Sequence, residues 1–237
     1  MRQYNVMDLF AGVGGLSYGF SMLPQFNIIA ANEIEKDISI AYELNHPNVR
    51  MLNCDINDLT EDILNQALNG QKIDIVVGGP PCQSYSTLGK RQNDERANLF
   101  MQYKRILKIL QPKAFVFENV PGILSARPGD GEFVVDKIRK AFDEAGYVIL
   151  DDLKRAIIDM TEYGIPQNRS RIIILGINRE MYGPEKSQKL LNLFYDQILP
   201  RHKVDKKMTV KEAIGDLPKL YPLPDGQIIR ENGKKYS

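Results

Sequence analysis

The sequence predicts an α/β fold built around a doubly wound, mostly parallel sheet. Short apolar segments alternate with segments whose apolar residues recur at helical spacing, and the connections between them are short. Two apolar segments, Ile73–Val77 and Arg171–Ile177, are almost continuous runs of Ile, Val and Leu, which is typical of strands buried on both faces. In such a sheet, ligands bind at the carboxyl ends of the strands.

This alternation assigns the elements in order as far as residue 178. The predicted strands are Asn5–Leu9, Asn27–Asn32, Ile73–Gly78, Ala114–Glu118, Tyr147–Leu153 and Arg171–Ile177. The predicted helices are Gly15–Leu23, Ile34–Leu44, Glu61–Leu68, Asn98–Leu110 and Glu132–Ala145, followed by a helix over 184–198 and a short one over Thr209–Leu217 with Thr209 as its N-cap. We expect one domain over residues 1–180 and a helical or irregular connection over residues 181–237.

Composition excludes several classes of protein. With 43% hydrophobic and 26% charged residues, the 237-residue chain has an ordinary globular composition and is neither disordered nor fibrous. It has no run of about 20 apolar residues, and its first residues, MRQYNVMDLF, do not form the apolar stretch expected of a secretory signal. Its two cysteines, Cys54 and Cys82, cannot form a disulfide framework, and we expect no metal site. A cytoplasmic location without membrane contact follows as the expectation.

Charge is distributed unevenly along the chain. Residues 201–237 carry nine Lys and Arg against five Asp and Glu, although the whole chain has a net charge of only +1. A basic segment of this kind is either a nucleic-acid contact or a solvated surface, and charge alone favours the solvated surface.

A glycine-rich turn, DLFAGVGGL (residues 8–16), follows the first predicted strand and opens the first helix. Glycines allow positive φ and close approach of a ligand, and a helix N-terminus presents unpaired N–H groups. The turn is therefore either a nucleoside site or a structural tight turn. Glu33 favours the first reading, because an acidic residue at the end of the second strand commonly binds ribose hydroxyls. Asp55, after the next extended stretch, is placed to meet a base edge.

A rigid turn, GGPPCQSYS (residues 78–86), follows the strand Ile73–Val77. A cysteine fixed at a strand's carboxyl end is a candidate nucleophile, so we assign that role to Cys82 and treat Cys54 as a small buried hydrophobe. Glu118 closes another apolar strand at the same edge, where an unpaired carboxylate is costly. Arg169 and Arg171 are two positions apart, so in an extended chain their side chains point to the same face. We expect them to bind an anion together.

Four segments, in this order, resemble motifs of the cytosine-5 DNA methyltransferase family: DLFAGVGGL (8–16), GGPPCQSYS (78–86), FENV (117–120) and YGIPQNRSRIIILG (163–176). The resemblance implies a Rossmann-like, S-adenosylmethionine-dependent methyltransferase fold. It also implies methyl transfer to carbon 5 of a cytosine flipped out of duplex DNA, with S-adenosylhomocysteine as product and no metal. A bacterial location in the cytosol or nucleoid and a place in a restriction–modification system are further implications.

The same resemblance assigns roles to individual residues. The cofactor-binding set is Phe10, Ala11, Gly12, Gly14, Gly15, Glu33, Ile34, Asp55, Ile56, Pro81 and Leu99. The catalytic set is Cys82, Glu118, Asn119, Arg169 and Arg171. A loop over residues 83–96 is expected to close on DNA, with contacts from Gln83, Ser84, Ser86, Lys90 and Arg91.

The chain also departs from the family pattern. It contains no Gly-Asn-Ser/Ala-Val string, and it ends where the family's target-recognition region is expected to begin. We therefore expect a truncated form or one subunit of a split enzyme whose partner chain supplies the rest. Two alternatives stay open: a tRNA cytosine-5 methyltransferase of the same family, and an inactive fragment that only binds cofactor or a partner.

Overall fold

The computed structural model describes residues 3–81, 99–127 and 131–217, together with the backbone of three short strands within residues 220–236. The strands are β1 (Tyr4–Leu9), β2 (Phe26–Asn32), β3 (Arg50–Leu52), β4 (Ile75–Gly78), β5 (Ala114–Asn119), β6 (Tyr147–Val148), β7 (Ile157–Asp159), β8 (Ser170–Asn178), β9 (Leu220–Pro222), β10 (Ile228–Arg230) and β11 (Lys235–Tyr236). The helices are α1 (Gly15–Ser21), α2 (Lys36–Asn45), α3 (Glu61–Leu68), α4 (Leu99–Leu110), α5 (Val134–Glu144), α6 (Arg179–Tyr182), α7 (Pro184–Leu193) and α8 (Val210–Ile214).

The chain divides into two compact units. The first comprises Met1–Ile158 and Ser170–Arg201, and the second comprises Asp159–Arg169 and His202–Ser237. The main sheet has the strand order β3-β2-β1-β4-β5-β8-β6, with β7 also paired to β8. The ladders from β3 through β5 are all parallel. The predicted α/β fold with a mostly parallel sheet is confirmed.

Helices cover both faces of this sheet, and β1 shows how the sequence produces the two layers. Successive side chains of a strand point to opposite faces. Val6 lies in an apolar cluster with Leu16 and Phe20 of α1. Met7 and Leu9 lie in the larger core cluster, to which α3, α4 and α5 contribute. The sheet is therefore doubly wound, as its apolar strands predicted.

Aromatic side chains fill the core between the sheet and helices α4 and α5. Tyr103, Phe115, Phe117, Phe142 and Tyr147 are almost completely buried. Their ring centroids are 4.4–6.2 Å apart, mostly in edge-on or tilted arrangements that suit aromatic quadrupoles. Tyr103 also directs its hydroxyl to the carbonyl oxygens of Val76 on β4 and Val116 on β5, at 3.1 and 3.0 Å.

One strand of the sheet is shorter than predicted, and the direction of another was left open by the prediction. The strand predicted over Tyr147–Leu153 ends at Val148. The carbonyl oxygens of Leu150 and Asp151 accept hydrogen bonds from the Arg139 side chain, and a 3₁₀ turn capped by Asp152 begins at Leu153. Strand β8 runs antiparallel to both β5 and β6. A parallel crossover usually contains an α-helix, and the segment between β6 and β8 holds only short 3₁₀ turns and β7.

The second unit contains α8 and a small antiparallel sheet in the order β11-β10-β9. Thr209 is the N-cap of α8, as predicted, and it forms a capping box with Glu212. The three strands were not predicted, since their segments are only two or three residues long. None of the helices in the described ranges combines the length and the apolar character that crossing a bilayer requires.

Candidate active site

The carboxyl ends of the parallel strands meet at one edge of the sheet. Leu9 at the end of β1 pairs with Asn32 of β2 and with Gly78 of β4. Gly78 in turn pairs with Phe117, the residue before Glu118 on β5. The segments that follow β1, β2 and β4 therefore begin side by side, and they carry most of the predicted site residues.

The glycine turn after β1 has a backbone that only certain residues tolerate. Phe10, Gly12 and Gly14 have φ values of 55°, 57° and 89°, in the left-handed region that favours glycine. The Ala11 N–H donates to the Asn32 carbonyl oxygen at 3.0 Å, which ties the turn to the end of β2. Gly15 begins helix α1.

His46 packs directly behind this turn and was not singled out as a site residue from the sequence. It is buried, and its Nε2 atom lies 3.3 Å from the carbonyl oxygen of Gly14. A Cβ at position 14 would lie 2.4 Å from that nitrogen. Gly14 is therefore required by its φ and by the close approach of the imidazole. The only signal in the sequence was an isolated histidine at the end of a helical segment.

Glu33 lies immediately after β2 and is only 9% exposed. One carboxylate oxygen accepts a hydrogen bond from the Gly12 N–H at 2.8 Å, and the other accepts from the Glu35 N–H at 3.0 Å. The Asn53 side chain holds the same segment by donating to the carbonyl oxygens of Glu33 and Ile34. Glu33 thus fixes the position of the glycine turn, while the neighbouring Ile34 side chain is 57% exposed.

Asp8 is a buried carboxyl group under the glycine turn. It is 1% exposed, and neither of its oxygens has a hydrogen-bond partner among the described residues. Burial raises the pKa of Asp8 to about 7; nearby Ser17 opposes this increase, and the charge of Glu33 adds to it. The Ser17 hydroxyl is itself within 3.0 Å of the Tyr42 hydroxyl.

Asp55 caps the 3₁₀ turn after β3. Its Oδ1 atom accepts from the backbone and side-chain N–H groups of Asn57, both at 2.8 Å. Ile56 is buried in the core, and Arg105 of α4 donates to its carbonyl oxygen. Arg105 also donates to the carbonyl oxygen of Leu59, so a residue that sequence reasoning did not identify holds this turn in place.

A second group of polar side chains lies where β5 and β8 pair. Glu118 Oε1 and Arg171 Nε lie 2.8 Å apart in an ion pair, and the Glu118 and Arg171 side chains are 27% and 19% exposed. Asn119 is buried and donates to the Pro80 carbonyl oxygen at 3.2 Å. The end of β5 is therefore attached to the segment that leads from β4 to Cys82.

The remaining predicted residues are placed as follows. Pro81 is exposed, and Leu99 is half-buried against the core. Arg169 belongs to the second unit, where its side chain is exposed and its carbonyl oxygen accepts from the Met160 N–H. Outside the described residues lie Cys82, Gln83, Ser84, Ser86, Lys90 and Arg91.

Cys54 is half-buried and packs against the core, which agrees with its assignment as a small hydrophobic residue. Burial raises the pKa of the Cys54 thiol, and the charges of Asp58 and Asp55 raise it further. A thiol of raised pKa has less of the nucleophilic thiolate at neutral pH.

The comparison with known families decides what this arrangement represents. Residues 4–236 match the family model of the C-5 cytosine-specific DNA methylases. The chain belongs to this family. The match spans the glycine turn, the Glu118–Arg171 pair and nearly all of the second unit, so the resemblance inferred from four motifs is confirmed over almost the whole chain.

Individual relatives agree with this membership. The chain is 36% identical to the type II methyltransferase M.DdeI of Desulfomicrobium norvegicum over 98% of its length, and it spans 55% of that protein. It is 30% identical to the type II methyltransferase M.AquIA of Picosynechococcus sp., of which it spans 93%. A crystal structure of a putative DNA modification methyltransferase encoded within an E. coli prophage superposes with a TM-score of 0.67 at 28% identity, covering 94% of this chain and 56% of that one. The chain thus spans about half the length of most of these relatives.

The described residues fit a nucleoside cofactor better than a metal ion. No group of three or more His, Cys, Asp or Glu side chains in the described ranges is arranged to hold a metal. The glycine turn leaves open space at Gly12 and Gly15, where a Cβ would have no neighbour within 4 Å. Beside it lie the fixed carboxylate of Glu33 and the exposed apolar side chain of Ile34. Carboxylates for hydroxyl groups and an apolar surface for a base are the features that a nucleoside requires.

Proposed function

We propose that the chain is the catalytic part of an enzyme that transfers a methyl group from S-adenosylmethionine to carbon 5 of cytosine in duplex DNA. The observation that carries the proposal is the Glu118–Arg171 ion pair, with Oε1 and Nε 2.8 Å apart. Asn119, the residue after Glu118 on β5, donates a hydrogen bond to the Pro80 carbonyl oxygen. Pro80 lies two residues before Cys82, the cysteine that the sequence indicates as the nucleophile. The names of M.DdeI and M.AquIA, both type II methyltransferases, support a role in restriction–modification.

The cofactor is proposed to bind across the ends of β1, β2 and β3. When bound, S-adenosylmethionine supplies an electrophilic methyl group on a sulfonium sulfur. The glycine turn would let the cofactor approach its backbone closely, and the Glu33 carboxylate, which retains acceptor capacity beyond its two backbone bonds, would hold the hydroxyl groups of the nucleoside. Ile34 would pack on the adenine ring and Asp55 would accept from its amino group, with Phe10, Ile56, Pro81 and Leu99 completing the pocket.

Cys82 is proposed as the nucleophile, because carbon 5 of cytosine is too weakly nucleophilic to accept a methyl group unaided. Addition of the thiolate forms a sulfur–carbon bond at carbon 6 and moves the ring's electron pair towards carbon 5. Carbon 5 would then form its bond to the methyl group as the bond between that group and the sulfonium sulfur breaks, which leaves S-adenosylhomocysteine. Transfer of the carbon 5 proton to water returns the electron pair of that bond to the ring and breaks the bond to Cys82, which restores the thiolate.

Glu118 and Arg171 are proposed to act on the polar edge of the same base. A carboxyl group at ring nitrogen 3 can donate a proton or a hydrogen bond as charge develops there during thiolate addition. Arg171 fixes the Glu118 carboxylate through Nε, and its guanidinium group can donate to the base carbonyl oxygen. Neither contact is possible with a base stacked in a duplex, so the cytosine has to be flipped out.

Recognition of the target DNA sequence is proposed to require a further region in addition to these 237 residues. The chain spans 55% of M.DdeI, and M.AquIA is a methyltransferase of which it spans 93%. M.AquIA is thus hardly longer than this chain, and we propose that a partner chain completes the enzyme. For the isolated chain we expect weak cofactor binding and non-specific, salt-dependent DNA binding through Lys90, Arg91 and the basic segment over residues 201–237.

The experiment is transfer of tritiated methyl groups from S-adenosylmethionine to duplex DNA and to tRNA, with the chain alone and with a chain that completes the family's length. We expect label in DNA as 5-methylcytosine. Label only in tRNA would contradict the DNA substrate. Cofactor binding without transfer to either substrate, even in the completed enzyme, would support the inactive-fragment alternative.

A further inference from the structure

Gly79, the residue after β4, lies against the carboxylate of Glu118. A Cβ at position 79 would lie 2.6 Å from Glu118 Oε2 and 3.4 Å from the Glu118 carbonyl oxygen. The φ of Gly79 is not in the left-handed region, so its backbone conformation is open to other residues. Glycine is therefore needed at position 79 because a side chain would collide with Glu118, and not because the backbone has an unusual conformation.

The carboxylate is held on its other side by Arg171. Oε1 lies 2.8 Å from Arg171 Nε in an ion pair, while Oε2 faces Gly79. The backbone around this contact is fixed, because Asn119 donates to the Pro80 carbonyl oxygen and so joins the ends of β4 and β5. The orientation of the Glu118 carboxylate therefore depends on a guanidinium group on one side and on the open space at Gly79 on the other.

We propose that Gly79 is a positioning residue, which sets the orientation of the Glu118 carboxylate toward the target base. The proposal rests on the proposed catalytic role of Glu118. A methyl group at position 79 would force Oε2 to move, since contacts with a Cβ below 3.0 Å are essentially absent from proteins. Oε2 is the end of a flexible side chain, so this movement costs little stability. Catalytic groups must be held within about 0.5 Å of their working position, so the same movement should lower activity.

Two other glycines give contrasting outcomes for the same substitution. A Cβ at Gly78 would lie 2.5 Å from the Leu9 backbone oxygen, which cannot move without disturbing β1. Gly78→Ala should therefore lower stability. A Cβ at Gly19, within helix α1, would have no neighbour within 4 Å. Gly19→Ala should leave activity unchanged and should raise stability by no more than about 1 kcal/mol, because alanine is the better helix former, and it is the matched control.

The activity test is a double-mutant cycle, measured on the completed enzyme, which is this chain together with a chain that completes the family's length. We expect Gly79→Ala to lower kcat by about 10- to 100-fold while the affinity for S-adenosylhomocysteine and the melting temperature stay close to those of Gly19→Ala. If Gly79 acts through Glu118, then Gly79→Ala added to Glu118→Gln should change kcat by no more than about twofold. Equal losses in both backgrounds, or wild-type kcat in Gly79→Ala, would overturn the proposal.

A second readout does not depend on activity and separates this proposal from the proposed function. The Arg171 Nε–H group can be observed by ¹H–¹⁵N NMR and assigned with an Arg171→Lys variant. We expect its resonance to shift or broaden in Gly79→Ala, as it does in Glu118→Gln, and to stay unchanged in Gly19→Ala. An unperturbed resonance in Gly79→Ala would refute the positioning role even if the enzyme were active. A perturbed resonance in a chain that never methylates DNA would refute only the proposed function.

Discussion

Replacement of the buried Asp8 by asparagine should change how stability depends on pH. Burial raises the pKa of this carboxyl group from 3.8 to about 7, and neither oxygen has a hydrogen-bond partner among the described residues. Between these two values the folded chain keeps a proton that the unfolded chain has released. Folding then takes up a proton, so the contribution of Asp8 to stability is fully present below pH 3.8 and is lost as the pH rises to about 7.

The magnitude follows from the difference between the two pKa values. Where only the folded state holds the proton, the unfolding free energy falls by about 1.4 kcal/mol for each pH unit of increase. Between about pH 5 and pH 8, wild type should lose about 3 kcal/mol of unfolding free energy through this group. Asp8→Asn has the same shape and no charge, so this loss should be absent from the variant.

Urea unfolding at several pH values measures the effect. The unfolding free energy of Asp8→Asn minus that of wild type should increase by about 3 kcal/mol between pH 5 and pH 8, because contributions from other groups cancel in the difference. Asp151→Asn, at an exposed aspartate, is the matched control and should give a constant difference. A constant difference for Asp8→Asn as well would show that Asp8 is not a buried, protonated group in the folded chain.

Four further substitutions test separate parts of the structure. Glu33→Ala removes the carboxylate that binds the Gly12 and Glu35 N–H groups, and it should weaken S-adenosylhomocysteine binding by about 10- to 100-fold in calorimetry; unchanged affinity would leave Glu33 with a structural role only. Tyr103→Phe removes a buried hydroxyl shared by two strand carbonyls and should lower the unfolding free energy by about 1–3 kcal/mol, whereas an unchanged midpoint would mean that these carbonyls find other partners. Cys54→Ser should leave methyl transfer within about threefold of wild type while Cys82→Ser abolishes it, since the raised pKa of Cys54 makes it a poor nucleophile; equal losses would contradict the assignment of the two cysteines.

Local signals in the sequence were sufficient to predict most of the fold. The strand Ile73–Gly78 and the helix Glu61–Leu68 follow from apolar periodicity, and both are present with at most two residues of difference. The capping box at Thr209 is encoded within four residues and was likewise predictable. The direction of β8 was not predictable, because a strand buried on both faces is a continuous apolar run whether its neighbours are parallel or antiparallel to it.

The site shows the same division between local and long-range information. The sequence indicated Glu33 and Glu118, since each is an acidic residue at the end of an apolar strand. It did not indicate that His46 would lie behind Gly14, or that Gly79 would make room for Glu118. The residues of each pair are more than 30 positions apart, so their contact depends on how the strands are ordered in the sheet.

The most direct test of the central claim is a covalent trap for the nucleophile. The completed enzyme is incubated with S-adenosylmethionine and duplex DNA in which cytosine is replaced by 5-fluorocytosine. Fluorine at carbon 5 leaves no proton to remove after methyl transfer, so the bond between the enzyme and carbon 6 should persist. We expect a protein–DNA adduct that requires S-adenosylmethionine, and peptide mapping by mass spectrometry should place it on Cys82. Methylation of ordinary cytosine without any trapped adduct, or an adduct on a different residue, would contradict the account.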